Sequence, residues 1–200
     1  MGPFLKLSHS IDWFNDHIGH LIRWLVLAAV LISATNAIVR KAFNISSNAF
    51  LEIQWYLFAG VFMLGAGYAF LRNVHVRIDF ISSKLSKRTN TIIDIAGIVV
   101  FLIPLCIILI VLSWPLFYNG WVSGEMSQNA GGLIRWPAYL LMPLGFSILL
   151  AQALSELIKR IAFLRGAIPE PMSVEPGKSD EELLAEELAA EAERKMAGAK

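Results

Sequence analysis

The chain has 200 residues, 56% of them hydrophobic and only 16% charged, with a mean hydropathy of +0.58. An average soluble chain is about 25% charged, so this composition excludes a protein whose whole surface faces water. Residues 1–165 carry thirteen bases and seven acids, a net charge of +6, whereas residues 166–200 carry four bases and nine acids, a net charge of −5. The single cysteine, Cys106, excludes an intramolecular disulfide and a CxxC redox pair.

Four apolar runs predict membrane-spanning helices. A helix needs about 20 apolar residues to cross a hydrocarbon core about 30 Å thick, and apolar residues surround each run instead of alternating along it. We therefore predict an all-α integral membrane protein with four transmembrane helices, and lipid as a partner. Nucleic acid is not expected, because no basic cluster is interleaved with aromatic residues outside these runs. The predicted spans are residues 21–39, 50–71, 92–114 and 138–157.

The basic residues between the spans predict the orientation, because Lys and Arg in short connections resist translocation. With a cytoplasmic N-terminus, ten bases lie on the inner side and three on the outer side, so both termini are expected in the cytoplasm. Residues 1–165 then form the membrane domain, and residues 166–200 form an acidic cytoplasmic tail. The inner bases are Lys6, Arg23, Arg72, Arg77, Lys84, Lys87, Arg88, Lys159, Arg160 and Arg165, and the outer ones are Arg40, Lys41 and Arg135.

Two segments have the pattern of helices that lie along the membrane surface. Before the first span, apolar residues recur at helical spacing and predict an interfacial helix that leads into the bilayer. Between the second and third spans, a second apolar stripe is interleaved with bases, which predicts an amphipathic helix at the inner interface in contact with anionic lipid. A merely solvated basic loop is the alternative. The first stripe is Ile11, Phe14, Ile18, Leu21 and Leu25; the second is Val74, Ile78, Ile81 and Leu85, with lipid-contact candidates Lys84, Lys87 and Arg88.

The loop of residues 118–136 is the one outer connection long enough to form a distinct surface, and we expect it to contact something periplasmic. Pro104 and Pro143 interrupt the third and fourth spans, where each favours a kink. In the acidic tail, Ser179 and Glu182 have the spacing of a capping box that would open a short helix. A helix so short is marginal in water.

No residue pattern predicts catalysis or a cofactor. The four histidines lie outside the spans or at their ends, where they cannot face each other at membrane depth as the axial ligands of a haem would. His17 and His20 share a helical face but lack a third metal ligand. We therefore expect no cofactor, no metal and no enzyme. The alternative, a four-helix membrane oxidoreductase subunit, is favoured only by the number of helices and the histidines.

Glu52, near the outer end of the second span, is the most informative polar residue, because a charge at membrane depth is costly and usually marks a function or a protein contact. Glu52, Tyr56, Gly60 and Gly67 fall within about 80° on a helix at 100° per residue. Small residues let another helix approach closely, so this stripe predicts a subunit interface. The alternative is that Glu52 only reaches out to the headgroups.

Further along, His75 and Asp79 are four residues apart with Arg77 between them. This spacing predicts a pair that pins the turn into the interfacial helix; an ordinary cluster of charges at the membrane edge is the alternative. Near the inner end of the fourth span, Gln152 and Glu156 lie one helical turn apart.

Several short blocks resemble the small membrane subunit (DctQ-type) of tripartite ATP-independent periplasmic, or TRAP, transporters. The resemblance covers about residues 15–165, and the HVRID block after a span that carries a glutamate is its most specific part. The tail lies outside it. The blocks are Arg40, Asn44, Ser46-Ser47-Asn48, Glu52-Ile53-Gln54, His75-Val76-Arg77-Ile78-Asp79, Glu125-Met126-Ser127, Gly131-Gly132-Leu133, Trp136-Pro137, Pro143-Leu144-Gly145-Phe146 and Gln152.

The resemblance implies a division of labour in the bacterial inner membrane. A soluble periplasmic protein captures an organic acid or a related solute, and a large multi-span subunit carries it with a cation gradient. The small subunit is a non-catalytic scaffold that packs against the large one. On this chain, the stripe of Glu52 would then lie near the large subunit, while His75, Arg77 and Asp79 would hold the interfacial segment.

Overall fold

The computed structural model describes residues 2–44, 47–73 and 85–168, and these residues are helical apart from short connections. No β-strand occurs in the described residues, and their only bridge is the isolated one between Met126 and Ile134. The all-α prediction is therefore confirmed. The helices are α1 (Gly2–Phe43), α2 (Asn48–Leu71), α3 (Lys87–Gly97), which continues through a π-helical turn (Ile98–Leu102) into α4 (Ile103–Ser123), and α5 (Trp136–Leu164).

Four helices in the described residues are long and apolar enough to cross a membrane: α1, α2, the continuous helix from Lys87 to Ser123, and α5. Each contains one of the predicted spans. At about 1.5 Å per residue, the 42 residues of α1 extend about 63 Å, twice the thickness of a hydrocarbon core of about 30 Å. The segment before the first span is thus a direct continuation of the span helix. The sequence predicted an interfacial helix that leads into the bilayer, and its position at the membrane surface stays a prediction.

Helix α5 is the centre of the bundle. It packs against α1, α2 and α4, and nine of its 29 residues are buried, against four of the 42 residues in α1. Helix α2 also packs along α1. Helix α5 therefore joins the other helices, and its side chains form one wall of the second polar cluster described below.

The interior of the bundle is small and polar, while the large apolar side chains lie outside. Among the described residues, the buried apolar ones include no side chain larger than isoleucine, and polar residues outnumber them. Phe62 and Phe101, by contrast, are more than 70% exposed. This is the reverse of a water-soluble fold and is the distribution expected where lipid is the solvent. The buried polar residues are Ser8, Asn15, Glu52, Thr91, Ser113, Gln152, Ser155, Glu156 and Arg160.

Glycines allow α5 to lie very close to α2. A Cβ atom placed on Gly145 would lie 2.6 Å from the carbonyl oxygen of Met63 and 2.7 Å from its Cβ. On the other side of the contact, a Cβ on Gly67 would lie 2.9 Å from Ile148. Since apolar contact with a neighbouring helix gains little over contact with lipid, such close approach is a main source of helix association.

Helix α1 faces the bundle with small and polar residues at intervals of seven. Ser8, Asn15 and Ala29 are all buried; steps of seven keep one face of a helix toward its neighbours. Phe14 and Leu21 belong to the predicted apolar stripe, yet they are 50% and 52% exposed. The other three, Ile11, Ile18 and Leu25, are half-buried, so apolarity alone does not decide which side chains of α1 face the bundle.

The π-helical turn lies immediately before Pro104. The backbone N–H of Ile103 donates to the carbonyl oxygen of Ile98, five residues earlier. A proline has no N–H and its ring collides with the carbonyl oxygen four residues before it, and a widened turn accommodates both defects. Helix α5 is continuous across Pro143, and the Ser147 hydroxyl donates to the carbonyl oxygen of Pro143 at 2.6 Å.

Several predictions concern residues outside the described ranges. They include the amphipathic stripe from Val74 to Ile81, the lipid-contact candidate Lys84, the candidates His75, Arg77 and Asp79, and the tail helix at Ser179. Lys87 and Arg88 form the first turn of α3. Ser86 caps this helix by accepting a hydrogen bond from the Thr89 backbone N–H.

The close approach of α2 and α5 predicts opposite effects for two glycine substitutions. Gly145→Ala should lower the free energy of unfolding by about 1–3 kcal/mol, because the new methyl group meets backbone that cannot move aside alone. Gly97→Ala, where a Cβ would meet nothing within 4 Å, should raise it by about 0.5–1 kcal/mol, because a helix favours alanine. Equilibrium unfolding in detergent measures both, and equal effects would contradict the packing described.

Candidate functional site

The first polar cluster joins the start of α2 to the loop of residues 124–135. The buried carboxylate of Glu52 accepts hydrogen bonds from the Ser127 hydroxyl, from the side-chain amide of Asn129 at 2.8 Å and from the backbone N–H of Leu133 at 2.7 Å. We call Glu52 and these three donors the loop clamp. Three donors on one carboxylate replace the water that the charge loses on burial.

Further contacts hold the same loop against α2. The side-chain amide of Asn48 donates to the carbonyl oxygen of Ala130 at 2.9 Å, and the Tyr56 hydroxyl donates to that of Ile134 at 3.2 Å. Gly132 fits into the clamp, since a Cβ there would lie 2.7 Å from Glu52 Oε1. The Gly131-Gly132-Leu133 block is thus explained by the close passage of the loop over the carboxylate.

A second contact closes the loop on itself. Arg135 donates to the Glu125 carboxylate at 2.7 Å and lies over the ring of Tyr139, with 5.3 Å between the guanidinium carbon and the ring centroid. Below it, the rings of Trp121 and Trp136 meet edge to face at 4.5 Å. Aromatic residues in this position are typical of the boundary between lipid and headgroups, so the loop lies at one membrane surface.

The loop and α2 enclose an open polar cavity of about 350 Å³. Glu52 and Arg135 both lie on its wall, but each already has partners in the chain. The cavity can therefore offer hydrogen-bonding groups to a protein surface, whereas no free pair of charges is left in it for acid–base chemistry. Its lining residues are Glu52, Trp55, Tyr56, Ser127, Gln128, Asn129 and Arg135.

The predicted interface stripe packs against residues of the same chain. Glu52 and Tyr56 hold the loop. Gly60 faces α1 and α5, where a Cβ would lie 3.7 Å from Leu25 and 3.9 Å from Leu141. Gly67 packs against Asn15 and Ile148. Contact of this stripe with another subunit stays a prediction.

The second polar cluster lies between the N-terminal turns of α1 and the C-terminal half of α5, and we call it the α1–α5 network. Asp12 is its centre. One carboxylate oxygen accepts from the Ser155 hydroxyl at 2.8 Å and from the Gln152 side-chain amide at 2.9 Å, and the other accepts from Lys159 at 3.0 Å. The Ser8 and Ser155 hydroxyls lie 2.7 Å apart. Three residues of α5 thus hold one carboxylate of α1.

The same network reaches α3 through charged groups. Glu156 pairs with both Lys159 and Arg160 on its own helix. The Nε of Arg160, which is 4% exposed, lies 3.4 Å from the Asp94 carboxylate of α3. Breaking such a buried pair leaves a charge without a partner, and this costs several kcal/mol. The charges therefore favour one register of α1, α3 and α5.

An amide pair lies at the contact of three helices. The side-chain amide of Asn15 donates to Gln152 Oε1 at 2.8 Å and to the carbonyl oxygen of Ile11 at 3.2 Å. Its own oxygen lies against Gly67 of α2 and is the only buried side-chain polar atom among the described residues that has no hydrogen-bond partner.

A more exposed contact joins α1 to the end of α2. Arg72 pairs with Asp16, and this hydrogen bond raises the pKa of Arg72 above its ordinary value. His20 also approaches the carboxylate of Asp16, at 3.6 Å, and His17 bonds to the Trp13 carbonyl oxygen at 2.8 Å. Among the described residues, no group of three or more His, Cys, Asp or Glu side chains could hold a metal ion.

Sequence reasoning singled out Glu52 but missed the partners of its carboxylate, which come from a loop about 80 residues later. It noted Gln152 and Glu156 as neighbours without a role, and it missed Asp12 and Asn15. The sequence did contain part of the signal for Asn15, because Ser8 and Asn15 are seven residues apart and therefore share one face of a helix.

Residues 29–163 match the family model described as "DctQ: Tripartite ATP-independent periplasmic transporters, DctQ component". The match covers the last third of α1, all of α2 to α4 and α5 almost to its end, including the loop clamp and the α5 side of the α1–α5 network. No curated protein and no solved structure matches the chain.

The loop clamp predicts that Glu52→Gln loosens the loop. A glutamine has one acceptor oxygen for three donors, so the Leu133 N–H or its neighbours must return to water. We expect hydrogen exchange in residues 124–135 to become at least about tenfold faster, measured by mass spectrometry in detergent. Gln128→Ala changes an exposed residue of the same loop and is the control. Unchanged exchange in Glu52→Gln would show that the carboxylate does not hold the loop.

The α1–α5 network predicts a large difference between two aspartates one turn apart. Asp12→Ala should lower the free energy of unfolding by about 2 kcal/mol, because Lys159 and Gln152 lose a partner in a mostly buried position. Asp16→Ala removes a pair in which Arg72 is 45% exposed, and it should cost less than about 1 kcal/mol. Chemical unfolding in detergent compares the two, and an equal loss would refute the assignment of Asp12 as the centre of the network.

Proposed function

The chain belongs to the DctQ family of tripartite ATP-independent periplasmic (TRAP) transporters, and from this premise we propose that it is the small permease subunit that scaffolds a large multi-span subunit. In this proposal the complex lies in the bacterial inner membrane. A periplasmic binding protein delivers an organic acid or a related solute, and the large subunit moves it with a cation gradient. This chain is non-catalytic and carries no cofactor.

One observation carries the scaffold role: apart from Asn15 Oδ1, the buried polar side-chain atoms of the described residues are bonded to groups of the same chain. Asp12 and Gln152 are bonded across helices, Glu156 is paired with Lys159 and Arg160 on its own helix, and Glu52 is bonded to the loop. A transport route needs polar groups that face a cavity through the bilayer and can exchange partners with the solute. Groups committed to internal pairs instead make the bundle rigid, which is what a support for a moving subunit requires.

The outer surface of the bundle supports a role in assembly. Helix α4 packs mainly on α5, and it leaves large apolar side chains such as Ile108 and Leu112 exposed. In a membrane such a surface contacts lipid or another apolar helix. We propose that part of it packs against the large subunit, and that Gly60, Gly67 and Tyr56 assist by giving the bundle its shape.

We propose that the loop of residues 124–135 faces the periplasm and contacts the binding protein. The excess of bases on the opposite side of the membrane domain supports an outer position for this loop, with the two termini in the cytoplasm. The loop clamp supports the proposal because it gives an otherwise irregular loop a defined surface at the membrane boundary. His75, Arg77 and Asp79 would then hold the segment between α2 and α3 on the inner side, where Lys84, Lys87 and Arg88 meet lipid.

The alternative function, a membrane oxidoreductase subunit, has no support from the family match, which is to a transporter component. The described histidines also have other contacts, since His17 bonds to its own helix and His20 lies near Asp16.

We expect solute uptake to require this chain, although the chain has no transport pathway of its own. In cells that express the large subunit and the binding protein, we expect solute uptake to fall to background without this chain and to return when it is supplied. A mild-detergent extract should recover it with the large subunit. The chain alone, reconstituted in vesicles with an imposed sodium gradient, should move no solute. Normal uptake in its absence, or flux from the chain alone, would overturn the proposal.

A further inference from the structure

The start of α1 and the end of α5 form an apolar groove of about 340 Å³ that no described residue fills. It is lined by Phe4, Leu5, Ile158, Ile161, Ala162 and Arg165. Five of these six residues are apolar, and Phe4 is 64% exposed.

The groove lies at the end of the bundle that carries the bases. Helix α5 needs about 20 residues from its first apolar turn to cross a bilayer, so Ile158 and the residues after it lie at the membrane boundary and beyond. Residues 2–11 and 157–168 contain four bases and no acid, namely Lys6, Lys159, Arg160 and Arg165. Lys159 and Arg160 pair with Glu156, but Arg165, which lines the groove, and Lys6, which follows the groove residue Leu5 in the chain, are exposed. An apolar groove edged by free bases in water favours an occupant that is both apolar and acidic.

The acidic tail, residues 166–200, has this chemistry and begins beside the groove. Arg165 lines the groove, and the tail follows it directly in the chain. The tail carries nine acids and four bases, and it places Leu184 and Leu188 one helical turn apart among Glu residues. From residue 168 to Leu184 there are 16 residues, and a chain of 16 residues can reach at most about 55 Å. The leucines are therefore within reach of the groove, and their covalent connection to it raises their effective concentration there.

We propose that this groove binds the chain's own acidic tail, with Leu184 and Leu188 against the apolar wall and the neighbouring carboxylates near Arg165 and Lys6. The membrane surface is a poor alternative site for the tail, because anionic headgroups repel a segment of net charge −5. A bound tail covers the seam between α1 and α5 and holds together the ends of the two helices that the α1–α5 network joins one turn deeper. The proposal does not depend on what the complete transporter carries.

Labelling of a single cysteine in the groove tests the proposal. Ile158→Cys is placed in a Cys106→Ala background, and the protein is inserted at one copy per nanodisc of neutral lipid. We expect a water-soluble maleimide to label position 158 about tenfold more slowly in the full chain than in a chain that ends at residue 168. Leu184→Ser with Leu188→Ser should label as fast as the truncated chain. Ala189→Ser with Ala190→Ser changes the same segment away from the leucines and should keep the protection.

Two further measurements separate the possible occupants. Salt at 500 mM should speed the labelling of the full chain and leave the truncated chain unchanged, because it screens the charges of the tail and the groove. A pair of cysteines at Leu5 and Leu184, in the Cys106→Ala background, should cross-link within one copy.

Equal labelling of the full and truncated chains would overturn the proposal. So would protection that appears only with two copies per nanodisc, or protection of the truncated chain that appears only in anionic lipid.

Discussion

Helices in lipid gain little by exchanging contact with acyl chains for contact with each other, and this constraint shapes the whole bundle. Close approach and hydrogen bonds between helices must supply the association that burial supplies in water. Helix α5 provides both. Gly145 lets it reach the backbone of α2, and its Gln152, Ser155 and Lys159 hold the Asp12 carboxylate of α1.

The polar groups are concentrated at the two ends of the bundle, and this arrangement suits a rigid support. At one end the loop clamp binds a connection to the start of α2. At the other, the α1–α5 network binds the protruding turns of α1 and, through Arg160, reaches Asp94 on α3. The stretch between them is mainly apolar and glycine-rich. Both membrane surfaces of the bundle are therefore fixed by specific bonds, while its lipid-facing sides remain free to receive a neighbour.

Glu52 and Asp12 show which buried carboxylates the sequence could reveal and which it could not. Glu52 lies in a long apolar run, where a carboxylate is costly, and this conflict made it visible in the sequence. Its partners Ser127, Asn129 and Leu133 could not be named in advance, because they depend on the path of a loop 75 to 81 residues away. Asp12 lies before the first apolar run, where a charge needs no explanation, so nothing in its surroundings indicated a buried partner. The segment before the first span is helical and continuous with the span, and an interfacial position for it stays a prediction.

The sequence by itself determined that the chain is all-α with four helices able to cross a membrane, because the length and apolarity required for crossing lipid are local properties of each run. It also indicated the family, through short blocks that the family match confirms. Only the tertiary structure decided which face of each helix is inside. In lipid, apolarity does not select the buried side chains, and on α1 Phe14 and Leu21 face outward while Ser8 and Asn15 face the bundle. That choice rests on hydrogen bonds and close contacts between residues as far apart as Ser8 and Ser155, and such pairs exist only once the helices have packed.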